Sequence, residues 1–340
     1  MVSLLRLVPL ALVAGCATAS GSPDGAGDGA ALFVANKRGD TLTRLSLASG
    51  KTTAEVASCA NPHELATSPD GRHVALACYG GTTVDIFATD SLKPINSYDL
   101  GENARPHGIV WHDNGDIYVT AEGRRSVFRI NQPLGPLGPQ SFEFATGKAG
   151  SHMLAVSPDA RTAWTTDLGS RTVTRIDLVT RRAPLSVAVG EEPEGIDLSP
   201  DGRALWVSAR KADKVVELDP MTLEVRREVA TGRFPLRIAI RPQGDVAVTS
   251  NLADGSLSVI DLASGETIRT IAVSSPDEAE ARQQVTILWS GDGARVFVAE
   301  TGTDTVAEVD YASGRVVRRL LAGKGGDGLA ILSQTAGGKQ

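Results

Sequence analysis

The chain has 340 residues and a formal net charge of −6, with charges of both signs scattered along it. That balance argues against a nucleic-acid binder, whose phosphate contacts need a basic stripe. No apolar run approaches the roughly 20 residues of a membrane-spanning helix. The 36 glycines set among short bursts of β-branched residues read as many strands joined by many turns.

Residues 1–15 read as a targeting segment rather than as fold. Arg6 supplies a positive end, Leu7 to Val13 an apolar stretch, and Ala14 and Gly15 the small residues before Cys16. Leu12-Val13-Ala14-Gly15-Cys16 resembles the lipobox of bacterial lipoproteins, which implies cleavage before Cys16 and lipidation of that cysteine. An ordinary signal peptide that happens to contain a Cys is the alternative. Residues 16–30 hold the lipidated Cys and a stretch rich in Ser, Gly, Asp and Ala, expected to be a flexible tether. Ala17 after the Cys resembles the pattern of outer-membrane lipoproteins. In a Gram-negative cell the expected location is therefore the periplasmic face of the outer membrane, with the lipid as the one membrane contact.

An internal repeat follows. Pro62-His63-Glu64-Leu65-Ala66-Thr67-Ser68-Pro69-Asp70-Gly71 and Pro193-Glu194-Gly195-Ile196-Asp197-Leu198-Ser199-Pro200-Asp201-Gly202 share one frame, which recurs from Pro106, Ser151, Pro235 and Gln284. The step from Pro193 to Pro235 is about 42 residues, in the range of propeller blades. Each copy predicts an inner strand, a turn and a second strand such as Val74–Cys78 or Leu205–Ala209; a third strand ending in Asp and a fourth near a Gly complete it. A sheet of this kind cannot bury both faces alone, and stacking seven around an axis does so. The first repeat, entered at Leu32, lacks an inner strand, and Gly326-Asp327-Gly328-Leu329-Ala330-Ile331-Leu332 fits the gap. The expectation is an all-β, seven-bladed β-propeller over 31–333, closed by the C-terminal strand completing the first blade, with a disordered tail at 334–340.

The Ser-Pro-Asp-Gly turns at Ser68–Gly71 and Ser199–Gly202 and the strands Phe33-Val34-Ala35-Asn36 and Val259-Ile260-Asp261-Leu262 resemble the YVTN-repeat, YncE-like seven-bladed propellers. That resemblance implies the fold but not an activity, because similar rings include lactonases, a metal-dependent streptogramin lyase and proteins without known catalysis.

A site is sought at the residue that opens each inner strand, since that strand lies nearest the axis. Around the ring this position reads Asp327, His63, His107, His152, Glu194, Leu236 and Val285. Three of the five histidines fall on it. His with Glu or Asp is the donor set of divalent-metal sites, so Zn, Cu or Mg is the candidate ion. The hairpin register predicts Cys78 opposite His63 and Asp167 opposite His152, positions from which they, with Glu64, would orient the histidines. Arg105, Arg210 and Arg237 share this face and are expected to attract an anionic ligand. Cys59 and Cys78 lie on it too: a disulfide is the first expectation, free thiols or thiolate ligation the others. His73 and His112 belong to turns at the opposite end. Ser275–Arg282 is a charged insertion that could overhang the mouth, and Gln132–Pro139 a Pro/Gly insertion on the far face.

No G-x-S-x-G, H-E-x-x-H or C-x-x-C occurs. The expected function is therefore a monomeric envelope module binding a small molecule or protein through the histidine-bearing face. Two alternatives stand beside it. One is a divalent-metal lyase or lactonase with Glu194 or Asp327 as general base. The other is a copper-binding or electron-transfer partner protein.

Overall fold

The structure is a computed structural model that describes residues 29–136 and 138–332. The expected targeting segment, most of the tether and the C-terminal tail fall outside the described residues. Seven four-stranded antiparallel sheets form the ring. Blades 2 to 7 each run outward from an inner strand: Pro62–Thr67, Pro106–Trp111, Ser151–Val156, Pro193–Leu198, Pro235–Ile240 and Gln284–Trp289. Blade 1 takes its inner strand, Gly326–Leu332, from the C-terminal end, and this pairs antiparallel with Ala31–Asn36. Among the described residues no helix is long and apolar enough to cross a membrane.

The turns explain why these segments fold back. Ser68 Oγ donates to Asp70 Oδ1 at 2.6 Å, and the same oxygen accepts from the Arg72 N–H at 3.0 Å. Gly71 takes the left-handed φ of +70° that closes the turn. Ser199 with Asp201 and Ser157 with Asp159 repeat the contact at 2.6 Å, and Ser290 with Asp292 at 2.5 Å. Each sheet is apolar on both faces, so the cores lie between blades. Ile86, Ile109, Val119 and Phe128 fill the space between blades 2 and 3. Leu32, Phe297, Leu320 and Leu329 fill the space across the closing joint.

Near the axis the inner strands crowd. A Cβ on Gly108 would stand 2.7 Å from the His152 carbonyl oxygen of the next blade, so this third strand position takes a side chain only where one can turn aside. The second and third residues of each of the six inner strands of blades 2 to 7 also leave the ladder. The register shifts between Pro62 and Leu65, between Ser151 and Leu154, and at the matching places elsewhere. That bulge re-aims the second residue toward the channel.

Ends of second strands are tied to third strands by buried polar clasps. Asn36 donates to Thr41 and Thr43 at 2.9 and 2.7 Å, and Asn251 donates to Ser256 and Ser258 at 3.1 and 3.0 Å. In blade 2 the equivalent position is Cys78, joined to Cys59 in a disulfide with a Cα separation of 5.7 Å. The insertion before blade 7 forms a helix, Pro276–Arg282, and is no loose overhang. Backbone bonds from Thr301 and Gly302 to the Gln283 and Arg282 carbonyls, at 3.1 and 2.8 Å, dock it on the neighbouring loop.

Candidate functional site

The bulged second residues bring His63, His107 and His152 into one row. Ring centroids are 4.3 Å apart for His63 and His107, and 3.8 Å for His107 and His152. Asp327 stands beside His63 and Glu194 beside His152, and the apolar side chains Leu236 and Val285 fill the remaining arc.

The row divides into two chemically different parts. His152 is saturated: Nε2 lies 2.8 Å from Glu194 Oε1, and Nδ1 meets Glu122 Oε1. Burial opposes a charge on this ring, yet Glu194 and Glu122 outweigh it and raise its pKa to about 9. Glu194 in turn is held by Arg237 Nη1 at 2.5 Å and Arg210 Nη1 at 2.6 Å. Burial alone would raise the Glu194 carboxyl; His152 and the two guanidiniums hold it far below the usual range instead. Arg237 spans the channel to Glu64 Oε1 at 2.8 Å. This buried chain, Glu122–His152–Glu194–Arg237–Glu64, reaches from blade 3 round to blade 6 and across to blade 2.

His63 and His107 are different. Burial drives the pKa of His63 down to about 4, with Asp327 opposing and Lys37 and His152 adding to the fall. His107 is 1% exposed, and burial together with the His152 charge holds it well below its ordinary value. Its Nδ1 is buried and has no hydrogen-bond partner among the described residues. Asp327 Oδ2 is 3.1 Å from His63 Nδ1 but poorly aligned for a hydrogen bond, and it pairs with Lys37 Nζ at 2.9 Å. Burial also raises the Glu64 carboxyl, against the pull of Arg237. One donor atom each from His63, Glu64 and His107 lie within 4.8 Å of one another, as do atoms from His107, Glu122 and His152. The first trio offers uncommitted lone pairs. In the second, both nitrogens of His152 are already engaged.

Several sequence expectations change here. Cys78 pairs in register with Pro62 and Asp167 with Ser151, because the bulge intervenes before the histidines. Asp167 accepts hydroxyls from Ser151, Thr165, Thr172 and Thr174 at 2.6–2.9 Å and orients its own blade, not His152. Cys78 is committed to the disulfide and orients no histidine directly. Glu64 stands among the donor atoms and not behind them. Arg237 is consumed by Glu64 and Glu194 and Arg210 by Glu192 and Glu194, so neither is free for an anion. Arg105 is exposed, its guanidinium 4.5 Å over the Tyr79 ring, and it makes no ion pair among the described residues.

Lys37, Tyr79 and Glu122 were not singled out from sequence, although a signal exists. Each follows directly on a second strand, the position that Arg210 occupies in blade 5. Read around the ring it gives Lys37, Tyr79, Glu122, Leu168, Arg210, Leu252 and Thr301, a second tier above the first. Tyr79 donates to Glu122 Oε2 at 2.9 Å and packs edge-on against His63 and His107, with centroids 4.9 and 5.3 Å away. Hollows of about 330 and 420 Å³ lie beside the Ser68–Gly71 and Ser199–Gly202 turns, at the opposite end.

No family model matches the sequence, and no curated protein matches it. The fold is shared with many solved structures. Hydrazine synthase of Kuenenia stuttgartiensis is similar with 19% identity and a TM-score of 0.68, covering 84% of this chain and 93% of that one. A putative 6-phosphogluconolactonase of Bacteroides fragilis has 15% identity and a TM-score of 0.70 over 92% of this chain and all (100%) of that one. Virginiamycin B lyase of Staphylococcus aureus has 15% identity and a TM-score of 0.64 over 77% and 84%. At such identities the likeness is one of fold.

Proposed function

We propose that this chain is a cell-envelope lipoprotein that works as a binding module at the histidine-bearing end of its channel, with a divalent transition-metal ion as the bound group. The observation that carries the reading is the neutral, adjacent pair His63 and His107, with a buried His107 Nδ1 lacking a partner among the described residues and Glu64 within ligand reach. An unmet polar atom at this depth is costly unless something fills its valence. Two imidazoles and one carboxylate suit zinc or copper; magnesium prefers an all-oxygen shell. Such an ion would polarise whatever completes its coordination, while this chain holds His63 and His107 unprotonated and keeps Glu64 aimed by Arg237.

Binding is favoured over catalysis by the state of the carboxylates proposed as bases. Glu194 is fixed as an anion by three cations, and Asp327 is tied to Lys37. Neither is placed to take and return a proton. The lyase and lactonase names among the similar folds keep turnover on metal as the second reading.

Elemental analysis of the purified chain after dialysis against zinc or copper tests the proposal. One ion per chain is expected, lost in His107→Ala; a stoichiometry near zero eliminates the metal. Cys16→Ala is expected to release the protein from membranes, and continued membrane association would contradict the anchor.

A further inference from the structure

Resting on that metal reading, we infer that the ion is held together with an anionic, oxygen-rich organic ligand, as a metal–carboxylate chelate seated between His63, His107 and the rim cations Arg105 and Lys37. The first support is a charge inventory. Arg237, Arg210, His152 and Lys37 each face at least one carboxylate within 2.9 Å. The buried network is thus internally matched, and a bare dication would add charge beside only Glu64 and Asp327, both already paired with cations. Uncompensated charge at such depth is strongly disfavoured. What docks there has to bring negative charge of its own.

The second support is the rim. Lys37 follows the second strand of blade 1 and Arg105 precedes the inner strand of blade 3, so they flank blade 2 and His63 from either side. Arg105 is stacked on Tyr79, whose ring touches both His63 and His107, and donates to the Tyr79 hydroxyl. It is therefore held next to the neutral pair with guanidinium donors to spare. Lys37 has a half-buried side chain and one carboxylate partner. A planar guanidinium and an ammonium flanking an ion site match a polycarboxylate, whose oxygens can bridge metal and cation together.

Equilibrium dialysis of the full chain with labelled zinc and labelled citrate, singly and together, tests this. Citrate is expected to be retained only when zinc is present, one for one with it. Arg105→Gln is expected to lower that retention about tenfold, the worth of one charge-assisted carboxylate contact, while zinc supplied alone is still retained. Arg105 is exposed, so the variant should melt with the parent protein. If citrate strips zinc from the protein, or Arg105→Gln changes nothing, the chelate is overturned and the metal reading stands. Citrate retained without zinc overturns it in favour of a plain anion site. Zinc retained under no condition removes both readings.

Discussion

His107 and His152 occupy the same repeat position in neighbouring blades, with ring centroids 3.8 Å apart, yet one is neutral and the other charged. Burial acts on both and disfavours charge in both. What separates them is the set of groups delivered by other elements: Glu122 from the loop after a second strand, and Glu194 from the next inner strand. His107 receives neither. The repeat thus decides where a side chain sits, while non-repeating neighbours decide its protonation and so its use. One half of the row is a closed structural ion network, and the other is open for a ligand.

The largest way to break this contrast is to remove the residue on which the closed half converges. Arg237 neutralises Glu64 and Glu194, both about 5% exposed or less. Arg237→Met leaves buried Glu64 without its cation and takes one of three cations from Glu194, and is expected to cost about 3–5 kcal/mol. Urea unfolding of the metal-free protein measures it. A loss below about 1 kcal/mol would mean the network is wet and its geometry incidental.

A pH experiment sharpens the same contrast. His152 titrates near 9 in the fold against an unperturbed 6.5, so its contribution is full below pH 6.5 and is lost as pH rises through about 9. His63 has the opposite sign. Its folded pKa of about 4 means the unfolded chain takes up a proton first, and stability falls as pH drops from 6.5 toward 4; His107 adds to that acid limb. His152→Gln should flatten the alkaline limb of metal-free stability and leave the acid limb in place, and His63→Gln should do the reverse. Loss of both limbs in either variant would show that the histidines titrate as one unit.

How much of this could be read from the chain follows the same division. The Ser-Pro-Asp-Gly turns, the closure of the ring by Gly326–Leu332 and the recurrence of His63, His107 and His152 are local or periodic signals, and the fold repeats them. The bulge in each inner strand is not written in any residue type, and it slips Cys78 and Asp167 away from the histidines. Glu64 and Arg237 meet across the axis at a separation of 173 residues, which no window along the chain can anticipate. Cys59 and Cys78 were legible as a pair because both border the same face, and the disulfide follows from that proximity. Tyr79 and Glu122 carry a periodic signal in the position after each second strand, but that position varies from Lys37 to Leu168 to Thr301 round the ring, so residue type alone does not mark it.

The smallest expected effect lies at the seam between the two halves. The Tyr79 hydroxyl donates to Glu122 Oε2 at 2.9 Å and accepts from Arg105, while its ring walls the neutral pair. Burial, with Glu122 beside it, pushes this phenol up to about 12, so it remains a donor while His152 titrates near 9. Tyr79→Phe keeps the wall and deletes the bond, and about 1 kcal/mol of stability should go with it. The more telling readout is His152. With Glu122 released from Tyr79, its charge falls more fully on Nδ1, and the imidazolium should deprotonate at higher pH by NMR. An unchanged titration would show that Glu122 is already wholly given to His152, and that the open and closed halves are not coupled through Tyr79.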